Sequence, residues 1–274
     1  MGYVAPRVHI PLEDNFNDII GKACRGLKLT DDIVAQRAGV PVAAVAAAKA
    51  GQFDEAVVRQ LAPVLGLGGE ALAVSGQKTW YPQDPGWIDG LVCFNTPYED
   101  MTVNSFVVWD PATKEAAAFD TGADCSGMLK LPVRIQQIFI THIHGDHILE
   151  LDRLKEKTGA RAFVSEREPI EGAEPFADGR SFNIGSLKVE TRRTSGHSRG
   201  GVTYVVTGLA KRLAIVGDAL FAGSMGGGMV SYAEALQTNR AQLLSLPDDT
   251  VICPGHGPLA TIGEQKQHNP FFAV

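Results

Sequence analysis

The run Thr141-His142-Ile143-His144-Gly145-Asp146-His147 places three imidazoles and one carboxylate within six residues, directly after the apolar stretch Ile135 to Ile140. That is the composition of a metal-binding loop at the end of a strand, and four donors in one loop suit more than one ion. Three further strand ends each carry a potential ligand beside glycine: His197 in Thr194-Ser195-Gly196-His197-Ser198, Asp218 in Ile215-Val216-Gly217-Asp218, and His256 in Cys253-Pro254-Gly255-His256-Gly257. Glycine lets the backbone turn tightly and approach a crowded centre, as an inward-pointing ligand requires. Any one of these three reads equally well as a hydrogen-bonded structural residue. Together they do not, because five of the seven histidines fall in these four places and only His9 and His268 lie elsewhere. The expected ligands are therefore His142, His144, Asp146, His147, His197, Asp218 and His256. Imidazole nitrogen and carboxylate oxygen without thiolate suit zinc first, and also iron or manganese.

Short β-rich runs position these loops: residues 91–94, 105–110, 116–120, 135–140, 161–164, 187–192, 202–207, 213–216 and 251–253. Helices expected at 125–130, 147–157 and 232–245 share the same region, which gives an α/β (α+β) class with layered sheets. Ahead of it, from Asn15 to about Ser75, apolar residues recur at helical spacing. Phe16, Ile19, Ile20, Ala23, Cys24 and Leu27 mark a first helix, Thr30 caps a second that ends at Gly39, Pro41 opens an Ala-rich third, and Asp54 to Leu65 forms a fourth. The expected organisation is a helical domain over 1–76, an ordered Pro- and Trp-containing connector over 77–90, and a catalytic domain over 91–274.

Composition excludes several classes. A net charge of −6 gives no general attraction to phosphate backbones or anionic lipid, and no apolar run approaches the roughly 20 residues of a membrane helix. The first eleven residues lack the pattern of a signal peptide, so cytoplasmic residence is the expectation. Cys24, Cys93, Cys125 and Cys253 are widely spaced and read as small buried hydrophobes, with Cys253 notable for standing three residues from His256. No Ser or Cys triad is evident. Phe271 and Phe272 offer either a homodimer contact or ordinary core packing, and the Gly-rich segment 223–228 reads as a rim beside Asp218 with Met225, Met229 and Tyr232 facing a small-molecule substrate.

The series Leu29-Thr30-Asp31-Asp32-Ile33-Val34-Ala35-Gln36-Arg37-Ala38-Gly39-Val40, followed by a short helix and Leu61-Ala62-Pro63-Val64-Leu65-Gly66-Leu67, resembles the repressor-type helix-turn-helix family over about residues 13–73. A helix that reads DNA offers Arg, Lys, Asn, Gln or Ser to bases and phosphates. Here Val42-Ala43-Ala44-Val45-Ala46-Ala47-Ala48 offers alanine, and residues 1–75 hold seven Lys/Arg against eight Asp/Glu. Nucleic acid is disfavoured as a partner, and the helical domain is expected to serve packing, dimerisation or shielding of the site; a ligand-sensing DNA-binding regulator is the alternative from another class.

From about residue 90 to 265, Asp120-Thr121-Gly122 and the four ligand segments stand in the order of the metallo-β-lactamase superfamily, which the chain resembles. The resemblance implies a four-layer αββα sandwich with a metal pair between the sheet edges. It implies one ion on His142, His144 and His197, the other on Asp146, His147 and His256, Asp218 bridging, and Asp120 as a structural group behind the ligands. Asp rather than Cys or Ser at 218 points away from antibiotic hydrolysis and toward the glyoxalase II-like branch. Three departures leave the substrate open: no basic residue in 222–228, no long helical C-terminal substrate domain, and Glu150 where the family often has glycine. The expected activity is hydrolysis of an ester, thioester (hydroxyacylglutathione-like) or lactone by a metal-bound hydroxide, with two divalent ions, zinc foremost, and Asp146 as the catalytic group that orients water. The alternative on the same fold is a persulfide dioxygenase with one iron on His142, His197 and Asp218; phosphodiester cleavage fits the ligands but not the acidic balance.

Overall fold

The computed structural model describes residues 9–273. Two six-stranded sheets face each other. The first runs in chain order through β1 (Leu91–Tyr98), β2 (Met101–Trp109), β3 (Glu115–Phe119), β4 (Arg134–Phe139), β5 (Arg161–Ser165) and β6 (Glu174–Phe176), antiparallel to β3 and parallel beyond it. The second orders β7 (Ser181–Ile184), β8 (Leu187–Arg193), β9 (Val202–Thr207), β10 (Leu213–Gly217), β11 (Val251–Pro254) and β12 (Ala260–Thr261), antiparallel except where β10 meets β11.

Side chains alternate across each strand, and the alternation sorts them into separate cores. Phe106, Phe119, Phe139, Phe163, Phe182, Tyr204 and Ile215 fill the space between the sheets. Val107, Ala118, Ile138 and Val164 face outward from the first sheet, where Leu151 and Leu154 of a covering helix meet them. Val205, Ala214, Val216 and Ile252 face outward from the second sheet into a core shared with the N-terminal helices. These are α1 (Phe16–Leu27), α2 (Asp31–Ala38), α3 (Val42–Lys49), α4 (Glu55–Val64) and α5 (Gly69–Gln77). Helix, sheet, sheet, helix is thus the layering, and the N-terminal helices cover one face.

Local signals explain the helix limits. Thr30 accepts from the Ile33 amide and Gly39 ends α2 in the left-handed region; Asp54 caps α4 by accepting from Ala56 and Val57. Pro41 sits at the N-cap of α3 rather than inside it. Lys49, the one basic residue at its end, is ion-paired with Asp31 at 2.7 Å.

Three sequence-based helices are shorter than expected. The one expected at 147–157 is broken into α6 (Gly145–Ile148) and α7 (Leu151–Thr158), because the His147 carbonyl accepts from Thr121 N at 2.8 Å and Thr121 Oγ1 at 3.0 Å instead of continuing the helix ladder. Residues 125–130 form turns and a 3₁₀ turn at Met128–Lys130. The one expected at 232–245 is α8 (Tyr232–Thr238) followed by a π turn, Asn239–Leu243, with buried Asn239 donating to the Ala219 carbonyl at 2.7 Å. A final helix, α9 (Ile262–His268), was not anticipated although Thr261 and Glu264 form a capping box.

The connector is ordered: Trp80 stacks on His268 at 4.8 Å and the Gln83 amide donates to Glu264. Phe271 and Phe272 are buried within the chain's own core, so they are packing residues and not an exposed contact. Among the described residues no helix is long and apolar enough to cross a membrane.

Candidate metal centre

All seven expected ligands converge at one edge of the sandwich. His142 and His144 leave the end of β4, Asp146 and His147 lie in α6, His197 lies between β8 and β9, and Asp218 and His256 follow β10 and β11. They form two groups of donor atoms, each within 4.8 Å of one another: His142, His144, His197 and Asp218 in one, Asp146, His147 and His256 in the other. In the first, His144 Nδ1 lies 3.0 Å from His142 Nε2 and 3.1 Å from His197 Nε2. In the second, Asp146 Oδ2 lies 3.4 Å from His147 Nε2 and 3.2 Å from His256 Nε2. Asp218 stands between them, with Oδ1 3.3 Å from His147 Nε2 and Oδ2 3.4 Å from His197 Nε2 and 3.5 Å from His256 Nε2.

The far side of each ring fixes which nitrogen faces inward. His147 Nδ1 meets Asp120 at 2.8 Å, His197 Nδ1 meets the Gly227 carbonyl at 2.9 Å, and His256 Nδ1 meets the Thr102 carbonyl at 2.7 Å. These partners only accept, so each ring donates outward from Nδ1 and turns Nε2 toward the centre. Thr141 completes the set: its hydroxyl donates to Asp120 at 2.7 Å and accepts from His142 Nδ1 at 3.1 Å. His147 Nε2 and Asp218 Oδ1 are buried without a hydrogen-bond partner. Converging lone pairs and orphaned buried atoms are costly unless a cation satisfies them. The donor set fits divalent metal.

Electrostatics differ across the site. Burial drives His142 and His197 below the ordinary imidazole range, with the neighbouring imidazoles adding to it. Burial also acts on His147 and His256, but the carboxylates around them win and raise His147 to about 10 and His256 to about 11. Asp218 is held well below the usual carboxylate range: burial opposes this, and His147 and His142 outweigh it.

Backbone geometry is cut to the site. Asp120 adopts φ 55°, rare for a residue with a side chain, and there accepts from Thr141 N at 2.7 Å as well as from the groups above. At Gly255 a Cβ would stand 2.2 Å from Asp218 Oδ1 and 2.6 Å from His147 Cε1, so only glycine fits.

Several supporting residues escaped the sequence. Thr102 and Gly227 act through backbone carbonyls and carry no side-chain signal. Asn104 is buried and donates to the Pro254 and Gly257 carbonyls at 3.0 and 2.7 Å, bracing the His256 loop. Glu13, ahead of α1, lies against Gly257, and burial raises its carboxyl against the pull of His256. Of the expected rim, Met225 and Tyr232 are core residues, and only Met229, 78% exposed, faces outward. Cys253 is buried between the sheets with its thiol pushed up by burial. Glu150 accepts from the Cys125 amide and from Arg153, which accounts for a charged residue at that position.

The fold and this edge-mounted His/Asp cluster define a metal-dependent enzyme class. The chain belongs to the metallo-beta-lactamase superfamily, whose family model matches residues 98–256. It is similar to the hydroxyacylglutathione hydrolase GloC of Haemophilus influenzae, 27% identical over 64% of this chain and 95% of that protein. A hydroxyacylglutathione hydrolase of Methylobacterium nodulans is 35% identical over 54% of this chain and 59% of that protein. Among solved structures, the BLEG-1 B3 metallo-beta-lactamase aligns with a TM-score of 0.57 at 27% identity, covering 67% of this chain and 100% of that one.

Proposed function

We propose that the chain is a hydrolase of an ester, thioester or lactone that works with two divalent cations, zinc foremost. The observation that carries this reading is the place of Asp218, whose carboxylate stands between the two ligand groups, with Oδ2 near His197 of the first and His256 of the second and Oδ1 near His147 of the second. Cations held there would lower the pKa of water and polarise a carbonyl, so no protein nucleophile is needed. The thiols support that division of labour: burial pushes Cys93 up to about 12 and Cys125 to about 11.

The chain's own contribution is orientation. Asp120, Thr141, Thr102 and Gly227 hold the imidazoles in the tautomer that turns Nε2 inward. Asp146 engages His147 and His256 through Oδ2, and its Oδ1 is left to accept a hydrogen bond from the attacking water. The names of the relatives make a thioester the first substrate to try.

Elemental analysis of the purified chain, paired with thioester, lactone, β-lactam and phosphodiester substrates, tests the proposal. The expected result is about two zinc per chain with thioester or lactone turnover. A single iron with oxygen uptake on a persulfide would replace it with the dioxygenase, and a folded chain that takes up no transition ion would end it.

A further inference from the structure

We infer that the N-terminal helical unit is a working part of the metal centre, with Asp14 and Lys22 as positioning residues that hold the segment after Asp218 against three of the ligands. The inference rests on the reading of Asp218 as the ligand shared by both cations. Lys22 lies on α1 and Asp14 just before it, outside residues 98–256 that the family model matches.

Asp14 Oδ2 accepts from both Lys22 Nζ and Ser224 Oγ. Lys22 Nζ also donates to the Met225 carbonyl at 2.9 Å. The next amide, Gly226 N, donates to the Asp218 carbonyl at 3.1 Å, and the carbonyl two residues beyond Met225, that of Gly227, receives His197 Nδ1 at 2.9 Å. Gly226 has no lateral freedom, since a Cβ there would stand 2.0 Å from the Asp218 carbonyl oxygen and 2.9 Å from His197 Nδ1. On the other flank the Lys22 ammonium lies 5.2 Å from the centre of the Phe221 ring, which meets His256 edge-on at 5.8 Å. One ion pair therefore touches the segment that sets Asp218, His197 and His256.

Two further facts separate positioning from mere packing. The pair is shielded, with side-chain exposures of 14% for Lys22 and 8% for Asp14, so removing one partner strands the other charge instead of releasing it to water. The same segment has other anchors: Gln265 accepts from Gly223 N, Asn269 donates to the Ser224 carbonyl and Asn239 to the Ala219 carbonyl. Those anchors keep the loop folded when Lys22 or Asp14 is lost, while the Met225–Gly226 link to Asp218 loosens.

The test uses the full chain with Lys22→Met, Asp14→Asn, Lys22→Arg and the milder Ser224→Ala, which removes one donor to Asp14 and leaves the ion pair. Zinc affinity is read by competition with a chromogenic chelator, and hydrogen exchange over residues 218–228 is read on zinc-free protein. Lys22→Met and Asp14→Asn are expected to weaken zinc binding about 10–100-fold and to speed exchange in that segment. Ser224→Ala should change both less, and Lys22→Arg should stay nearest the parent. Folded Lys22→Met and Ser224→Ala proteins with parental zinc affinity and exchange overturn the inference, as does a drop in melting temperature with neither readout moved. If the parent chain takes up no zinc, the hydrolase reading fails, and exchange alone still decides whether Lys22 holds the loop.

Discussion

The two halves of the metal centre use the same donor types and differ in charge. His142, His144 and His197 form a trio in which burial favours the neutral form of His142 and His197, leaving the Nε2 lone pairs of those two open. Asp146, His147 and His256 form the opposite case, because Asp218, Asp146 and Asp120 hold protons on His147 and His256 up to about 10 and 11. A cation entering the first half meets free nitrogen; one entering the second must displace protons that already balance the carboxylates. The difference teaches that two clusters of imidazole and carboxylate, three imidazoles in one and two with Asp146 in the other, can carry opposite charge, so that under the two-cation reading the second would load with a pH dependence the first lacks.

The largest expected effect breaks the comparison altogether. Asp218→Ala removes the carboxylate that stands between both halves and should abolish zinc uptake and turnover, a loss beyond the roughly 100-fold that a supporting residue costs, checked by elemental analysis and kcat/KM. Next, His144→Ala should empty the first half and His256→Ala the second, each leaving about one zinc per chain; equal loss from both variants would show that the halves are not separable. Asp120→Asn comes third. Asp120 backs His147 but no ring of the first trio except through Thr141, so zinc affinity should fall about 10–100-fold in the second half and far less in the first, measured by stepwise chelator competition. The smallest effect sharpens the contrast. Because the folded values of His147 and His256 are raised, their protons are held at neutral pH and lost only as pH climbs toward about 10; second-half affinity should therefore rise by about tenfold per pH unit for each proton displaced, while first-half affinity stays nearly flat. Parallel pH profiles for the two halves would contradict this assignment of charge.

Much of this centre was legible because metal ligation demands rare residue types in confined spacing. His142 to His147 announce themselves, and glycines beside His197, Asp218 and His256 mark turns that bring ligands inward. The strands carrying them were equally readable, since the expected β runs 135–140, 187–192, 213–216 and 251–253 coincide with β4, β8, β10 and β11 to within a residue or two. What stayed hidden acts without side-chain identity or at long range. The carbonyls of Thr102 and Gly227 orient two imidazoles, yet any residue type supplies a carbonyl. β6, β7 and β12 are two to four residues long, too short for periodicity to declare them, and their pairing comes from neighbours already in place. The helix break after His147 depends on Thr121 capturing a carbonyl 26 positions away. Lys22 and Asp14 read as ordinary surface charges of a helix, because nothing local says that Ser224 and Met225 lie opposite.

The apolar face of the second sheet has consequences for how the molecule comes apart. Val205, Ala214, Val216 and Ile252 share their core with Phe16, Ile20, Leu61 and Leu72, and Gly68 N donates to the Pro270 carbonyl at 2.7 Å, so the first helices and the last residues are stitched into one body. Heat or urea should accordingly melt the chain in a single cooperative transition, with fluorescence and circular dichroism coincident. A protease nick in the 77–90 stretch should leave both fragments associated until that transition is reached.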